Sequence, residues 1–272
     1  MAASRVCLWA GAMAETLLQI EGLTKRFGGV VPADAISLDI APGEVHAVIG
    51  PNGAGKTTLI GLLSGELTPH RGRIRFAGAD ITRFPVHRRS RLGLARSFQI
   101  TSLFRGFTAL DNVALAVQAH RGHSFRFWRN ARAEDELREP ARAALARVGL
   151  AERAGTHIER LSHGELRQLE IAMALATSPR LLLLDEPMAG LGPDESAQMV
   201  RMLRQLKGSM TILLVEHDME AVFALADRLT VLVYGRIIAS GDPQTIRSDA
   251  VVREAYLGEK PQKENVKGGT HA

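Results

Sequence analysis

Short apolar runs broken by glycine and proline alternate along the chain with longer segments of helical periodicity. Leu17–Ile20, Ile36–Ile40, Val45–Ile49 and Arg73–Phe76 alternate or are β-branched, and Pro42-Gly43 separates the second from the third as a tight turn would. From about Arg88 to Thr177 the period lengthens to that of helices, with Ala/Leu/Arg/Glu runs at Glu134–Val148 and Glu165–Ala176. Strand-like runs return at Leu181–Leu184, Thr211–Val215, Leu229–Val233 and Ile237–Ala239, with helices at Glu195–Leu206 and Met219–Ala226. Strands alternating with helices predict an α/β fold with a mostly parallel sheet covered by helices. The opening stretch is β-rich, and the helical middle reads as an insertion between two halves of the core. On this reading the core spans residues 14–95 and 176–257, with a helical subdomain at about 96–175. Residues 1–13 form an extension and 258–272 a polar tail rich in Lys and Gly.

Composition refines this picture only slightly. The chain has 272 residues, 46% of them hydrophobic, enough for a sizeable core. No apolar run reaches the roughly 18 residues of a membrane-spanning helix. One cysteine, Cys7, cannot form an internal disulfide. Val6–Ala10 only faintly resembles a short leader, and Met13 is an alternative start. A net charge of +5 is spread along the chain rather than clustered, so a solvated surface explains it better than nucleic-acid binding.

The chemistry enters at Gly50-Pro51-Asn52-Gly53-Ala54-Gly55-Lys56-Thr57, which fits Gly, four residues, then Gly-Lys-Ser/Thr. Glycines let successive N–H groups turn inward as an anion nest, and the helix that follows adds its positive end. Lys56 would reach the β- and γ-phosphates of a nucleotide, and the Thr57 hydroxyl would ligate Mg²⁺. The loop follows the Val45–Ile49 strand and precedes the helical run Thr58–Leu63, as the motif requires. A glycine-rich turn of no function is the competing reading. The bare pattern arises by chance in roughly one chain of this length in a hundred.

Leu181–Leu184 ends in Asp185-Glu186-Pro187, so two acids emerge at the carboxyl edge of the sheet. Asp185 would hold Mg²⁺ through its water shell and Glu186 would polarise the attacking water. By itself such a pair reads as a helix cap. His217 follows Thr211–Val215 in the same way, and is assigned to the γ-phosphate as a sensor and charge stabiliser.

With these residues placed, the chain resembles the ATP-binding subunits of ABC transporters from about Leu17 to Leu257. Leu161-Ser162-His163-Gly164-Glu165 looks like the family signature, commonly Leu-Ser-Gly-Gly-Gln, departing at His163 and Glu165. Ser162 and Glu165 also have capping-box spacing, and both readings can hold together. The resemblance implies an α/β fold made of a P-loop NTPase core, an inserted helical subdomain and an N-terminal antiparallel β subdomain. It makes Gln99 a contact to Mg²⁺ and water, and Phe27 the ring on adenine, with Thr58 beside the phosphate loop. Ala189-Gly190-Leu191-Gly192 corresponds to the loop crossing the dimer interface, where the family usually has Asp or Asn in place of Gly192.

The resemblance further implies two subunits packed head to tail around two ATP molecules, homo- or heterodimeric. Each site would take Gly50–Thr58, Gln99, Asp185, Glu186 and His217 from one subunit and Ser162–Glu165 from the other. It implies a place at the cytoplasmic face of the plasma membrane, transmembrane permease subunits gripped near Phe104, Phe107 and Leu110–Val113, and indirectly a periplasmic solute-binding protein. Core packing is the alternative reading of those apolar residues. Phe27-Gly28-Gly29, Asp80-Ile81-Thr82, Leu94–Gln99, Leu169–Ala172, the insertion around His120–Arg132 and Ala255–Gly258 look like the importers of branched-chain amino acids. Urea or amide importers and the lipopolysaccharide exporter ATPase are the rivals. A soluble ATPase of this family acting on nucleic acid or ribosomes, and a nucleotide-binding module without turnover, are further alternatives. Phe125–Arg129 reads as an amphipathic segment packed on the helical subdomain, or a membrane-proximal one.

Overall fold

The computed structural model describes residues 16–97, 103–122 and 135–254. The opening segment builds a four-stranded antiparallel sheet in the order β2-β1-β4-β5, from β1 (Leu18–Phe27), β2 (Val30–Ile40), β4 (Arg71–Phe76) and β5 (Ala79–Asp80). The second sheet has six strands in the order β10-β9-β3-β8-β7-β6: β3 (Val45–Ile49), β6 (Leu94–Arg96), β7 (Leu181–Asp185), β8 (Thr211–Val215), β9 (Arg228–Val233) and β10 (Arg236–Gly241). All its pairings are parallel except β9 with β10.

The central strands are apolar on both faces because both faces are covered. Leu182 and Leu184 of β7 point into one core with the helical segments, while Leu181 and Leu183 join the core shared with β1, β2 and the helix after β3. That helix, α1 (Lys56–Ser64), buries Leu59, Ile60, Leu62 and Leu63 and ends at Gly65, whose φ of 89° supplies the left-handed cap. Its last carbonyls are held by Arg89 of α2 (Val86–Arg91), whose Nη1 donates to Leu62 O at 2.7 Å and Leu63 O at 2.8 Å. Burial lowers this guanidinium to about 10, so it stays charged at neutral pH and complements the negative end of α1.

The middle of the chain is helical: α3 (Ala109–Arg121), α4 (Asp135–Arg147) and α5 (His163–Leu175), packed on one another and on the sheet. The strand β6 lies inside the stretch that periodicity alone reads as helical. At three residues, beside Gly93 and a positively charged run, it is too short to show alternation. The core is completed by α6 (Pro193–Leu206), α7 (Met219–Leu225) and α8 (Pro243–Ser248). Among the described residues no helix is long and apolar enough to cross a membrane.

Candidate functional site

Parallel pairing puts the carboxyl ends of three strands at one level. Val48 of β3 registers with Val215 of β8, and Asp185 of β7 registers with the same Val215. The residues that follow, Gly50, Glu186 and Glu216-His217, therefore leave the sheet side by side, at the edge where ligands of α/β sheets bind.

The loop after β3 is wedged between two other strands. A Cβ at Gly50 would collide with the Leu232 carbonyl oxygen, and one at Gly55, where φ is 105°, with that of Pro32. Glycine is required there by close approach as well as by dihedral. Ala54 O accepts from Gly235 N at 2.8 Å, tying the loop to the β9–β10 turn. Lys56 is buried, and its ammonium donates to Gly50 O at 2.7 Å and Pro51 O at 3.2 Å, arching over the loop. Asn52, Gly53 and Thr57 are exposed, Thr58 half-buried. The loop is thus a backbone cradle at a helix start with one cation over it, which suits a polyphosphate.

Asp185 is half-buried and receives Arg96 Nη2 at 3.1 Å; the same guanidinium bonds Glu66. Burial raises the Asp185 carboxyl, Arg96 opposes the rise, and the adjacent Glu186 adds to it. Glu186 has φ of 48°, uncommon for a residue with a side chain, and its N–H donates to Val215 O at 2.8 Å. This turn brings Glu186 Oε1 within 3.8 Å of His217 Nδ1.

Glu216 was not singled out from the sequence, yet it organises this corner. Its carboxylate is fully buried and accepts from Met188 N at 2.8 Å and His217 N at 3.0 Å. It thereby joins the turn after β7 to the turn after β8. Burial pushes its carboxyl up, against those N–H donors. The available signal is an acid between an apolar strand and a histidine.

The remaining assigned residues lie elsewhere. Phe27 is an exposed ring at the β1–β2 turn with Lys25 Nζ 5.2 Å from its centroid. Gln99 and Phe125–Arg129 lie outside the described residues. Phe104 and Phe107 are exposed, their centroids 5.9 Å apart, whereas Leu110 and Val113 are core residues.

Leu161-Ser162-His163-Gly164-Glu165 opens α5 on the surface formed with α6. Leu161 is buried, while Ser162 and His163 are exposed. The capping box is real: Ser162 Oγ accepts from Glu165 N at 3.2 Å, and Glu165 Oε2 accepts from Ser162 N at 2.8 Å. Arg153 Nε fixes the other oxygen of Glu165 at 2.9 Å. Glu195 of α6 reaches the same helix start: its Oε1 accepts from Ser162 Oγ at 3.2 Å and Gly164 N at 3.1 Å. Its Oε2 accepts from Gly192 N at 3.4 Å. The donors of Gly164 and Gly192, with Ser162 and the nearby His163, hold the Glu195 carboxyl below the usual range.

Known proteins share this architecture. The family description "ABC transporter" matches residues 33–189, and "Branched-chain amino acid ATP-binding cassette transporter" matches residues 236–261. The chain is 39% identical over 254 residues to the high-affinity branched-chain amino acid transport ATP-binding protein BraF of Pseudomonas aeruginosa, covering 91% of this chain and 100% of that one. It is 37% identical to LivG of Escherichia coli K12, of the same description, over 91% of this chain and 100% of that one. It is 36% identical to the lipopolysaccharide export system ATP-binding protein LptB of Acidithiobacillus ferridurans, over 90% and 98%. Among solved structures, a nucleotide-free ATP-binding cassette of an ABC transporter superposes with a TM-score of 0.79 at 30% identity, covering 90% of this chain and 100% of that one. The ADP conformation of the cassette MJ1267 gives 0.80 at 30% identity, over 90% and 99%. A glycine loop at the sheet edge that suits phosphate, two carboxylates and a histidine beside it, and a match across most of the chain lead to one conclusion: this chain belongs to the ABC transporter family, as an ATP-binding and ATP-hydrolysing subunit.

Proposed function

We propose that this subunit powers the import of branched-chain amino acids, using half of an ATP site in each of two cassettes. The observation that carries the ATPase reading is the common level of the β3, β7 and β8 ends, which sets Lys56, Asp185, Glu186 and His217 around one cradle. Gly50–Thr58 binds the phosphates through backbone N–H groups and Lys56, with Phe27 as the flat surface for adenine. The Thr57 hydroxyl and the Asp185 carboxylate are hard oxygen donors that suit Mg²⁺, and Gln99 is assigned the third contact. Mg²⁺ when bound neutralises charge developing on the phosphates. Arg96 donates to Asp185, so a bound Mg²⁺ would have to share that carboxylate with the guanidinium. Glu186 takes the proton of the attacking water, and His217 stabilises charge at the γ-phosphate.

Ser162–Glu165 of one subunit completes the site of a second ATPase subunit. Phe104 and Phe107 form an exposed aromatic pair whose loop is pinned by Asn112, Phe104 N donating to Asn112 Oδ1 at 2.8 Å. We assign this pair to the permease contact at the cytoplasmic face of the membrane, with a periplasmic binding protein supplying solute to that permease. The cargo reading rests on the names of BraF and LivG and on the match at residues 236–261. The 36% identity to LptB keeps lipopolysaccharide export as the second reading.

Uptake of labelled leucine by cells carrying the wild-type chain or Glu186→Gln tests the proposal. Leucine uptake should be lost in the variant while uptake of urea is unaffected. Unchanged leucine uptake would reject the cargo, and accumulation of lipopolysaccharide at the inner membrane would favour the second reading.

A further inference from the structure

We infer that Glu195 is an internal stand-in for phosphate: its carboxylate occupies the donors of the signature segment until a nucleotide on the facing subunit displaces it. The inference rests on the reading that Ser162–Glu165 completes a second subunit's site. One oxygen, Glu195 Oε1, gathers both Ser162 Oγ at 3.2 Å and Gly164 N at 3.1 Å, as a phosphate oxygen at a helix start would. The two acids on this surface are not equivalent. Glu165 spends its oxygens on Ser162 N and Arg153, within the capping box, and does not touch the outward donors. Ser162 Oγ accepts from Glu165 N, so the one proton it has to give goes to Glu195. A phosphate oxygen and Glu195 therefore cannot both use that hydroxyl proton.

The carboxylate also fills the space a phosphate would need. A Cβ at Gly164 would lie 2.9 Å from Glu195 Oε1, and its three nearest neighbours would all be atoms of that flexible side chain. Glu195 is tied on its other side to Gly192 N at 3.4 Å, the N-cap of α6, where glycine supplies no capping side chain. When Glu195 leaves the signature segment, the carboxylate bridge between the start of α5 and Gly192 goes with it. The His163 ring also lies over the loop, its Cε1 3.3 Å from where a Cβ on Gly190 would stand. The same side chain therefore reports occupancy of the signature segment to the loop that crosses to the other subunit, as a two-state element biased by ligand.

The test compares Glu186→Gln with Glu186→Gln/Glu195→Ala, both purified, by light scattering against ATP with Mg²⁺. Removing an intramolecular competitor should lower the ATP concentration for half-maximal association by roughly threefold or more. An equal or higher midpoint overturns the inference, including the case where Tm falls and the midpoint stays, which marks Glu195 as a helix cap only. If neither protein associates although both bind ATP, the shared-site reading fails and this inference fails with it; association of both at equal ATP sinks the inference alone. Amide exchange at Gly164 without nucleotide gives an independent check. It should quicken in Glu195→Ala, and an unchanged rate would show that the carboxylate does not hold that donor.

Discussion

The phosphate loop at Gly50–Thr57 and the signature segment at Ser162–Glu165 both lie at helix starts, yet one is closed by backbone and the other by a side chain. Around the loop the neighbours are main-chain carbonyls of Pro32 and Leu232 and the Ala54–Gly235 hydrogen bond. Around the signature the neighbour is Glu195, held by three hydrogen bonds near the surface. Backbone walls cannot yield without moving a strand, whereas a glutamate can turn away at the cost of a rotamer change. The loop is therefore fixed by its surroundings, whereas the signature segment is covered by a group that can move.

Adding a methyl group to each region sharpens this contrast. Gly55→Ala puts a Cβ against the Pro32 carbonyl at a φ of 105° that L-residues avoid. It should cost about 3 kcal/mol or more and abolish ATP binding. Calorimetry and a fluorescent ATP analogue would show this; wild-type Tm and affinity would mean that the wall is softer than described.

A smaller effect is expected on α5 itself, where Glu170 is buried with one oxygen unpartnered and Arg167 Nη1 at 3.2 Å from the other. Burial raises its carboxyl to about 7, with Arg167 opposing. Between roughly pH 4.5 and 7 the folded state binds more protons than the unfolded one, so stability should fall as pH rises through that window, by on the order of 2 kcal/mol. Glu170→Gln should flatten the fall, as read from urea midpoints at pH 5 and pH 8. An equal fall in both proteins would place the burden elsewhere.

The smallest change should come from Gly164→Ala, whose nearest neighbours are atoms of the flexible Glu195 side chain. Tm should stay within about 2 °C of wild type. A fall as large as that of Gly55→Ala would erase the distinction between the two regions.

The sequence made the loop legible because its chemistry is local: a strand, eight consecutive residues and a helix. The runs Val45–Ile49 and Thr211–Val215 could be read to the residue, since both are rich in β-branched residues and apolar apart from one buried polar residue each, His46 and Thr211. β1 was legible only as far as Ile20. Its second half, Glu21–Phe27, loses the alternation at three register shifts against β2. Long-range partners could not be read at all. Arg96 meets Asp185 across 89 positions, and Gly164 meets Glu195 across 31. Nothing in either local pattern marks these pairs, because they are made by strand order and helix packing.

The proposed hydrolysis depends most directly on Glu186, placed by its left-handed turn beside His217 and next to the carboxylate assigned to Mg²⁺. The deciding measurement is phosphate release by Glu186→Gln at saturating ATP and Mg²⁺, with bound ATP assayed in parallel. Turnover should fall by about a hundredfold or more while ATP is retained. Turnover within a few-fold of wild type, or ATP lost together with turnover, would contradict the role given to this carboxylate.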